Sequence, residues 1–158
     1  MKPSMHLSPA AFVAALVFAS TSYAQSDADA VKAAIDSYHA ALVSLDVAKL
    51  APLWAHDGDV MVVNPADGNV SVGWEAVKKS WEGDLSKMSE LTLTQSEGPH
   101  IQVRGDVAWA TGVLIAAAKM KGGGGGSGPL FESDIFEKRG GSWLLVSHAA
   151  WQPARPGP

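Results

Sequence analysis

Cysteine is missing from this chain of 158 residues. Without it, neither a disulfide bond nor a lipid attached through a cysteine can form. A domain of this composition therefore depends on its hydrophobic core alone for stability.

Basic residues are few and scattered. The chain has 12 Lys and Arg against 16 Asp and Glu, which gives a formal net charge of −4, and Lys78–Lys79 is the one basic pair that stands out. Because phosphate binding needs a basic patch, a nucleic-acid partner is not expected. The sequence also lacks a nucleophile elbow, a phosphate loop and a metal-binding helix motif, so no cofactor is expected.

No apolar run is long enough to span a membrane. The run from Leu7 to Ser20 is shorter than the ~20 residues that a spanning helix needs. Met1-Lys2-Pro3 precedes it with a positive charge, and Ser22-Tyr23-Ala24 places small residues where a signal peptidase cleaves. This pattern predicts a secretory signal at residues 1–24, cleaved after Ala24, with a membrane anchor as the alternative. The mature chain is then secreted or periplasmic and has no membrane partner.

Residues 25–152 have the length of one domain, and its first part predicts helices. Apolar residues recur at three- and four-residue steps from Val31 to Leu45, on a helix expected to begin at Ser26–Asp27. Asp46 is placed to cap a second, short helix. The spacing of the apolar residues from Trp74 to Met88 predicts another helix.

The later part of the chain predicts strands. The expected strands are 60–63, 91–94, 99–103, 107–120, 130–138 and 142–152. Pro65-Ala66-Asp67-Gly68 and Arg139-Gly140-Gly141 have the composition of turns. Helices followed by strands with short turns indicate an α+β fold with an antiparallel meander.

Glycine is concentrated in one low-complexity segment, Gly122–Gly128, between two predicted strands. It is interpreted either as a flexible hairpin tip or as a mobile lid over a pocket. The tail, Pro153–Pro158, is expected to be loose.

Two stretches together resemble the SnoaL-like branch of the nuclear-transport-factor-2-like superfamily, whose fold is cystatin-like. The first is the order of elements from Tyr38 to Trp81, with Gly73-Trp74-Glu75 opening a helix. The second is the closing hairpin from Phe131 to His148, with its Ser-Asp pair, basic Gly turn and Trp. The resemblance covers residues 27–151. It implies a curved antiparallel sheet wrapped round the N-terminal helices into a cone-shaped half-barrel that encloses a pocket.

Ketosteroid isomerases, which belong to this superfamily, suggest roles for particular residues. By resemblance, Tyr38 and Asp134 match the pair that hydrogen-bonds the substrate oxygen. The alternative is that Tyr38 bonds a backbone group and Asp134 a turn. Asn64 stands where the isomerase has its base, and an amide cannot accept a proton at neutral pH.

Other polar and aromatic residues have more than one interpretation. His148 is a possible general base or a residue of the pocket wall, and alternation predicts that it shares a face with Leu144, Val146 and Ala150. The six tryptophans indicate a filled core or an aromatic pocket, with Trp54 and Trp109 as candidates for the pocket. His56, Asp57 and Asp59 are more typical of caps at a turn than of a metal site, so no metal is expected.

Two functions follow from the resemblance. One is an exported domain that binds a small apolar or carbonyl-bearing molecule, with isomerase-, cyclase- or dehydratase-like activity and no cofactor. The other is a domain for binding or dimerisation without catalysis. The family implies a homodimer formed through the outer face of the sheet.

Overall fold

The computed structural model of the chain describes residues 10–64 and 68–153, with side chains from Ser26 onward. The predicted turn at Pro65-Ala66-Asp67-Gly68 lies outside these residues except for Gly68, and so does most of the predicted tail. Within the described part, no helix is both long and apolar enough to cross a membrane.

The helices are α1 (Ala10–Val43), α2 (Val47–Leu50), a 3-10 turn (Ala51–Leu53) and α3 (Trp74–Leu85). Asp46 caps α2, as predicted, by accepting a hydrogen bond from the amide of Ala48 at 3.0 Å. The predicted start of α1 at Ser26–Asp27 is wrong. The alanine-rich segment before it contains neither Gly nor Pro, so nothing stops the helix from continuing upstream to Ala10.

Six strands form one curved, unclosed sheet in the order β2-β1-β6-β5-β4-β3. Its neighbouring strands are antiparallel except for β1 and β6, which are parallel. The strands are β1 (Met61–Val63), β2 (Val70–Val72), β3 (Met88–Arg104), β4 (Val107–Met120), β5 (Gly125–Arg139) and β6 (Ser142–Trp151). The predicted α+β class and curved sheet are thus confirmed.

The three largest differences between the observed and the predicted strands are the following. β2 was not predicted. β3 is continuous where two strands were expected, because irregular pairing between Gln95 and His100 lets the strand continue past the interruption. β5 begins at Gly125, so Gly125–Gly128 pair with β4 and only Lys121–Gly124 form the turn.

The core lies between α1 and the inner face of the sheet. α1 contributes Val31, Ile35 and Tyr38, all at most 1 % exposed, and the sheet contributes Phe136 and Leu145. Burying each such side chain stabilises the fold by about 1.5–3 kcal/mol. α1 is thereby fixed against the concave face, and the space left beside it becomes the site.

Candidate functional site

A cavity of about 270 Å³ opens between the helices and the long strands. Most of its wall is apolar, but besides the exposed Gln152 four polar side chains line it: Asn64, Asp84, Glu132 and His148. All four are buried. The apolar wall consists of Leu42, Trp81, Leu85, Met88, Leu91, Leu93, Leu114, Ala116, Ala118, Leu130 and Ala150.

His148 is held by Asp134 on the neighbouring strand. The two residues are direct cross-strand partners of β6 and β5, and His148 Nδ1 lies 2.7 Å from Asp134 Oδ1. They are 4 % and 1 % exposed. A carboxylate favours a proton on Nδ1, which leaves Nε2 as the nitrogen available to a bound molecule.

A bulge in β6 turns His148 toward the cavity. Leu145 pairs with Phe136 and Ser147 with Ile135, so Val146 is the extra residue. Before the bulge, Trp143 and Leu145 are buried, and after it His148 and Ala150 are. The predicted common face of His148 with Leu144 and Val146 is therefore wrong, because strand alternation is broken between them.

Asn64 and Asp84 form the second polar group. Asn64, just after β1, donates from Nδ2 to Asp84 Oδ2 at 2.6 Å. Lys87 Nζ donates to the other carboxylate oxygen at 3.1 Å, and its side chain is largely exposed. The position at which the resemblance implies a base thus holds an amide that is engaged with a buried carboxylate.

His39 and Glu132 form the third polar group. His39 Nε2 lies 2.9 Å from Glu132 Oε2. Burial lowers the pKa of His39, whereas the hydrogen bond and the charge of Glu132 raise it. The charges of Asp134 and Asp36 add to this, so the pKa lies above its ordinary value of 6.5. His39 therefore keeps a positive charge beside Glu132 over a wider pH range than a free histidine would.

Tyr38 lies behind the cavity wall in an aromatic cluster. Its ring meets His148 at 5.2 Å and Trp81 at 6.2 Å between centroids, both edge-on. Burial first, then the charges of Asp134 and Glu132, raise the pKa of Tyr38 well above its ordinary value, so the phenol stays protonated. Its hydroxyl is buried and has no hydrogen-bond partner among the described residues.

The structure separates the six predicted site residues into three groups. His148 and Asn64 line the cavity, and Asp134 contacts it through His148. Tyr38 and Trp54 are buried and pack edge to face at 6.3 Å, outside the set of cavity-lining residues. Trp109 is 40 % exposed, with the guanidinium of Arg104 5.9 Å from its ring centroid.

Sequence reasoning missed Asp84, Glu132 and His39. A signal for the first two was present. Glu132 alternates with Asp134 and Phe136 on β5, and Asp84 falls three residues after Trp81 on the apolar stripe of α3. An acidic residue at an inward position indicates a buried carboxylate that needs a partner. The partner His39 could not be identified without the fold.

Metal binding has no support here. Among the residues with described side chains, no group of three or more His, Asp or Glu could hold an ion. His56 bonds the carbonyl of Ala51 at 2.8 Å and stacks on Trp74, while Asp57 pairs with Arg139. The polar cavity residues instead provide one imidazole nitrogen and two paired carboxylates. That set suits proton transfer or hydrogen bonding to a small molecule.

Residues 31–154 match the family profile of the SnoaL-like domain. A comparison with functionally curated proteins finds no relative.

Solved structures with the same fold are numerous but distant. A protein from Streptomyces avermitilis, provisionally called a dehydratase of the NTF2-like family, is 22 % identical, with a TM-score of 0.74 over 83 % of this chain and 99 % of its own. An NTF2-like superfamily protein from Salmonella enterica serovar Typhimurium LT2 is 19 % identical, with a TM-score of 0.74 over 87 % and 96 %. A protein from Shewanella frigidimarina, provisionally called a ketosteroid isomerase, is 21 % identical, with a TM-score of 0.64 over 77 % and 94 %.

Proposed function

Because the chain belongs to the SnoaL-like domain family, we propose that it binds a small, largely apolar molecule with a carbonyl or hydroxyl group and moves a proton on it without a cofactor. The names of the Streptomyces and Shewanella proteins, a provisional dehydratase and a provisional ketosteroid isomerase, support chemistry of this kind. Both reactions require a proton to leave carbon and both can proceed with side chains alone.

The pairing of His148 with Asp134 is the observation that carries this proposal. The 2.7 Å hydrogen bond fixes the tautomer in which Nε2 is the base. When Nε2 takes a proton, the buried carboxylate beside Nδ1 stabilises the imidazolium that forms. General-base catalysis of this type contributes about 10²- to 10⁴-fold in rate.

The cavity sets the kind of molecule that can bind. Its volume of about 270 Å³ is near the lower end of ligand pockets, roughly 300–1,000 Å³. Leucine, methionine and alanine side chains cover most of it, so the body of the ligand is apolar. The polar side chains of His148 and Glu132 receive the functional group.

Exchange of carbon-bound hydrogen for deuterium tests the base directly. The purified protein is incubated with 2-tetralone, a bicyclic ketone, in D₂O, and loss of the α-proton signal is followed by NMR. We expect exchange well above the buffer rate, and a loss of at least about a hundredfold in His148→Gln. His100→Gln, an exposed histidine away from the cavity, is the matched control and should exchange normally.

Variants of Asp134 and Tyr38 test the roles of these two residues in the exchange reaction. Asp134→Asn should slow exchange while leaving affinity for the ketone unchanged, because Asp134 acts through His148 and does not line the cavity. The predicted oxygen-binding role of Tyr38 requires Tyr38→Phe to slow exchange as well. Binding of the ketone with exchange at the buffer rate would contradict catalysis and favour the non-catalytic binding domain.

Export of the chain is part of this proposal. It is supported by the apolar run at Leu7–Ser20 and the small residues before Gln25. Protein recovered from the secreted or periplasmic fraction should have the mass of residues 25–158, which intact-mass spectrometry measures. A full-length mass in the membrane fraction would indicate an uncleaved anchor instead.

We also propose that the domain forms a homodimer through the outer face of its sheet. Support comes from the apolar side chains exposed there. Trp109 and Ile135 are cross-strand partners and each is about two-fifths exposed, and Phe131 stacks on Trp151 at 5.8 Å. Exposed apolar patches of this kind are typical of protein interfaces.

A further inference from the structure

A second cavity of about 390 Å³ adjoins the first. The two have four wall residues in common, Ala116, Ala118, Leu130 and Gln152. The second extends from these toward the β4–β5 turn and is completed by Gly126, Ser127, Gly128, Pro129 and Pro153. Of the polar side chains that line the first cavity, only Gln152 also lines the second. Asn64, Asp84, Glu132 and His148 therefore lie at one end of the joint space, and the extension leads away from them.

The pairing of β4 with β5 shows how the cavity wall changes toward the β4–β5 turn. Leu114 pairs with Leu130, and the next two inward pairs are Ala116 with Gly128 and Ala118 with Gly126. Large side chains thus give way to methyl groups and hydrogens beyond the leucine pair. From the level of Asp134 to Gly128 the strand advances six residues, which is roughly 20 Å.

Backbone geometry does not require glycine at positions 126 and 128. Neither Gly126 nor Gly128 has a positive φ, and a Cβ added to either would meet nothing within 4 Å. Gly125 differs, because its φ is 150° and an added Cβ would collide with the carbonyl of Ala118. The missing side chains at Gly126 and Gly128 therefore leave space without relieving strain.

We infer that the ligand of the proposed function is elongated. Its hydroxyl or carbonyl group faces His148 and Glu132, and an unbranched alkyl tail passes the Leu114–Leu130 pair into the second cavity. The substrate class is thus a long-chain alcohol, ketone or related alkyl compound. This rests on the proposed function only in assuming that the first cavity binds the polar end.

Competition with a fluorescent dye tests the inference. N-phenyl-1-naphthylamine, a neutral dye that fluoresces in apolar sites, is displaced by 1-hexanol, 1-octanol, 1-decanol and 1-dodecanol. Affinity should rise roughly fourfold per added methylene through the whole series, the value expected for burial of one CH₂. In Gly128→Leu the rise should stop at 1-octanol, because the new side chain fills the tail space. Gly122→Leu adds the same side chain in the turn, outside both cavities, and should behave as the unaltered protein does.

The outcomes distinguish the two proposals. If affinity levels off after 1-hexanol in the unaltered protein, the second cavity holds no tail and the inference is wrong, while the proposed function still stands on 1-hexanol binding and on deuterium exchange. If Gly128→Leu folds and binds 1-dodecanol as tightly as Gly122→Leu does, the inference is also wrong. If no alcohol displaces the dye, the proposed binding function fails and the inference with it. The chain-length series needs no variant, so it decides the matter even if Gly128→Leu does not fold.

Discussion

Each buried ionisable side chain at the cavity has a partner from a different part of the chain. His148 pairs with Asp134, and Asp84 is held by Asn64. A buried charge without a partner costs several kcal/mol, whereas a paired one costs far less. These pairs let polar groups remain in an otherwise apolar wall, where their interactions with a ligand are stronger than in water.

The pair of His39 and Glu132 predicts a pH dependence of stability. The pKa of His39 is higher in the folded chain than in the unfolded chain, so the folded state binds more protons in this range. The pair therefore stabilises the fold fully below about pH 6.5, and this contribution is lost as the pH rises through the folded-state pKa. The urea concentration at the midpoint of unfolding should therefore decrease as the pH is raised from about 6 to about 8.5.

Variants of two histidines test whether His39 causes this pH dependence of stability. In His39→Gln the urea midpoint should no longer decrease over this pH range. The difference between the two plots of urea midpoint against pH then gives the contribution of His39. His100→Gln, in which an exposed histidine is changed, should retain the decrease. A His39→Gln protein whose unfolding midpoint still falls by the same amount would contradict the assignment.

Local sequence patterns were sufficient for most of the elements. Apolar spacing predicted α1 and α3, the expected strand 107–120 has the same ends as β4, and the Arg139-Gly140-Gly141 turn lies between β5 and β6. The reason is that periodicity follows from which side of an element is buried. Gly140 and Gly141 both have positive φ, which glycine adopts without steric cost.

Features that depend on pairing with other strands could not be predicted. The bulge at Val146 appears only when β5 and β6 are aligned, and it decides which residues of β6 face inward. β2 has only three residues and pairs with β1 alone. Short edge strands carry too little pattern to be found from sequence.

The same limit applies to the site. His148, Asn64 and Asp134 were identified as separate candidates, but the contact of His148 with Asp134 depends on strand register. The resemblance suggested a Tyr38–Asp134 pair, whereas the carboxylate of Asp134 hydrogen-bonds His148. Sequence therefore predicted most of the residue types and not which of them meet.

The apolar side chains exposed on the outer face of the sheet predict that the protein associates with itself. If Trp109 and Ile135 lie in the centre of a dimer interface, Trp109→Ser should weaken the dimer at least roughly thirtyfold, the usual cost of losing a central tryptophan. Val43→Ser removes a side chain of similar exposure on α1 and is the control. Sedimentation equilibrium measures both.

A different association state would contradict this arrangement. The unaltered protein sedimenting as a monomer at high micromolar concentration would exclude the dimer. A dimer that Trp109→Ser leaves as tight as before would place its interface on another surface of the molecule.

The parallel pairing of β1 with β6 joins the early part of the chain to its last strand. During synthesis, β1 and β2 have only each other as strand partners until Ser142–Trp151 has left the ribosome, and a two-stranded sheet is barely stable alone. The same strand brings His148 to the cavity. A nascent or truncated chain that ends before β6 therefore lacks both His148 and one of the two strands that pair with β1. The sheet and the part of the cavity wall that carries His148 are thus completed in the same late step of folding.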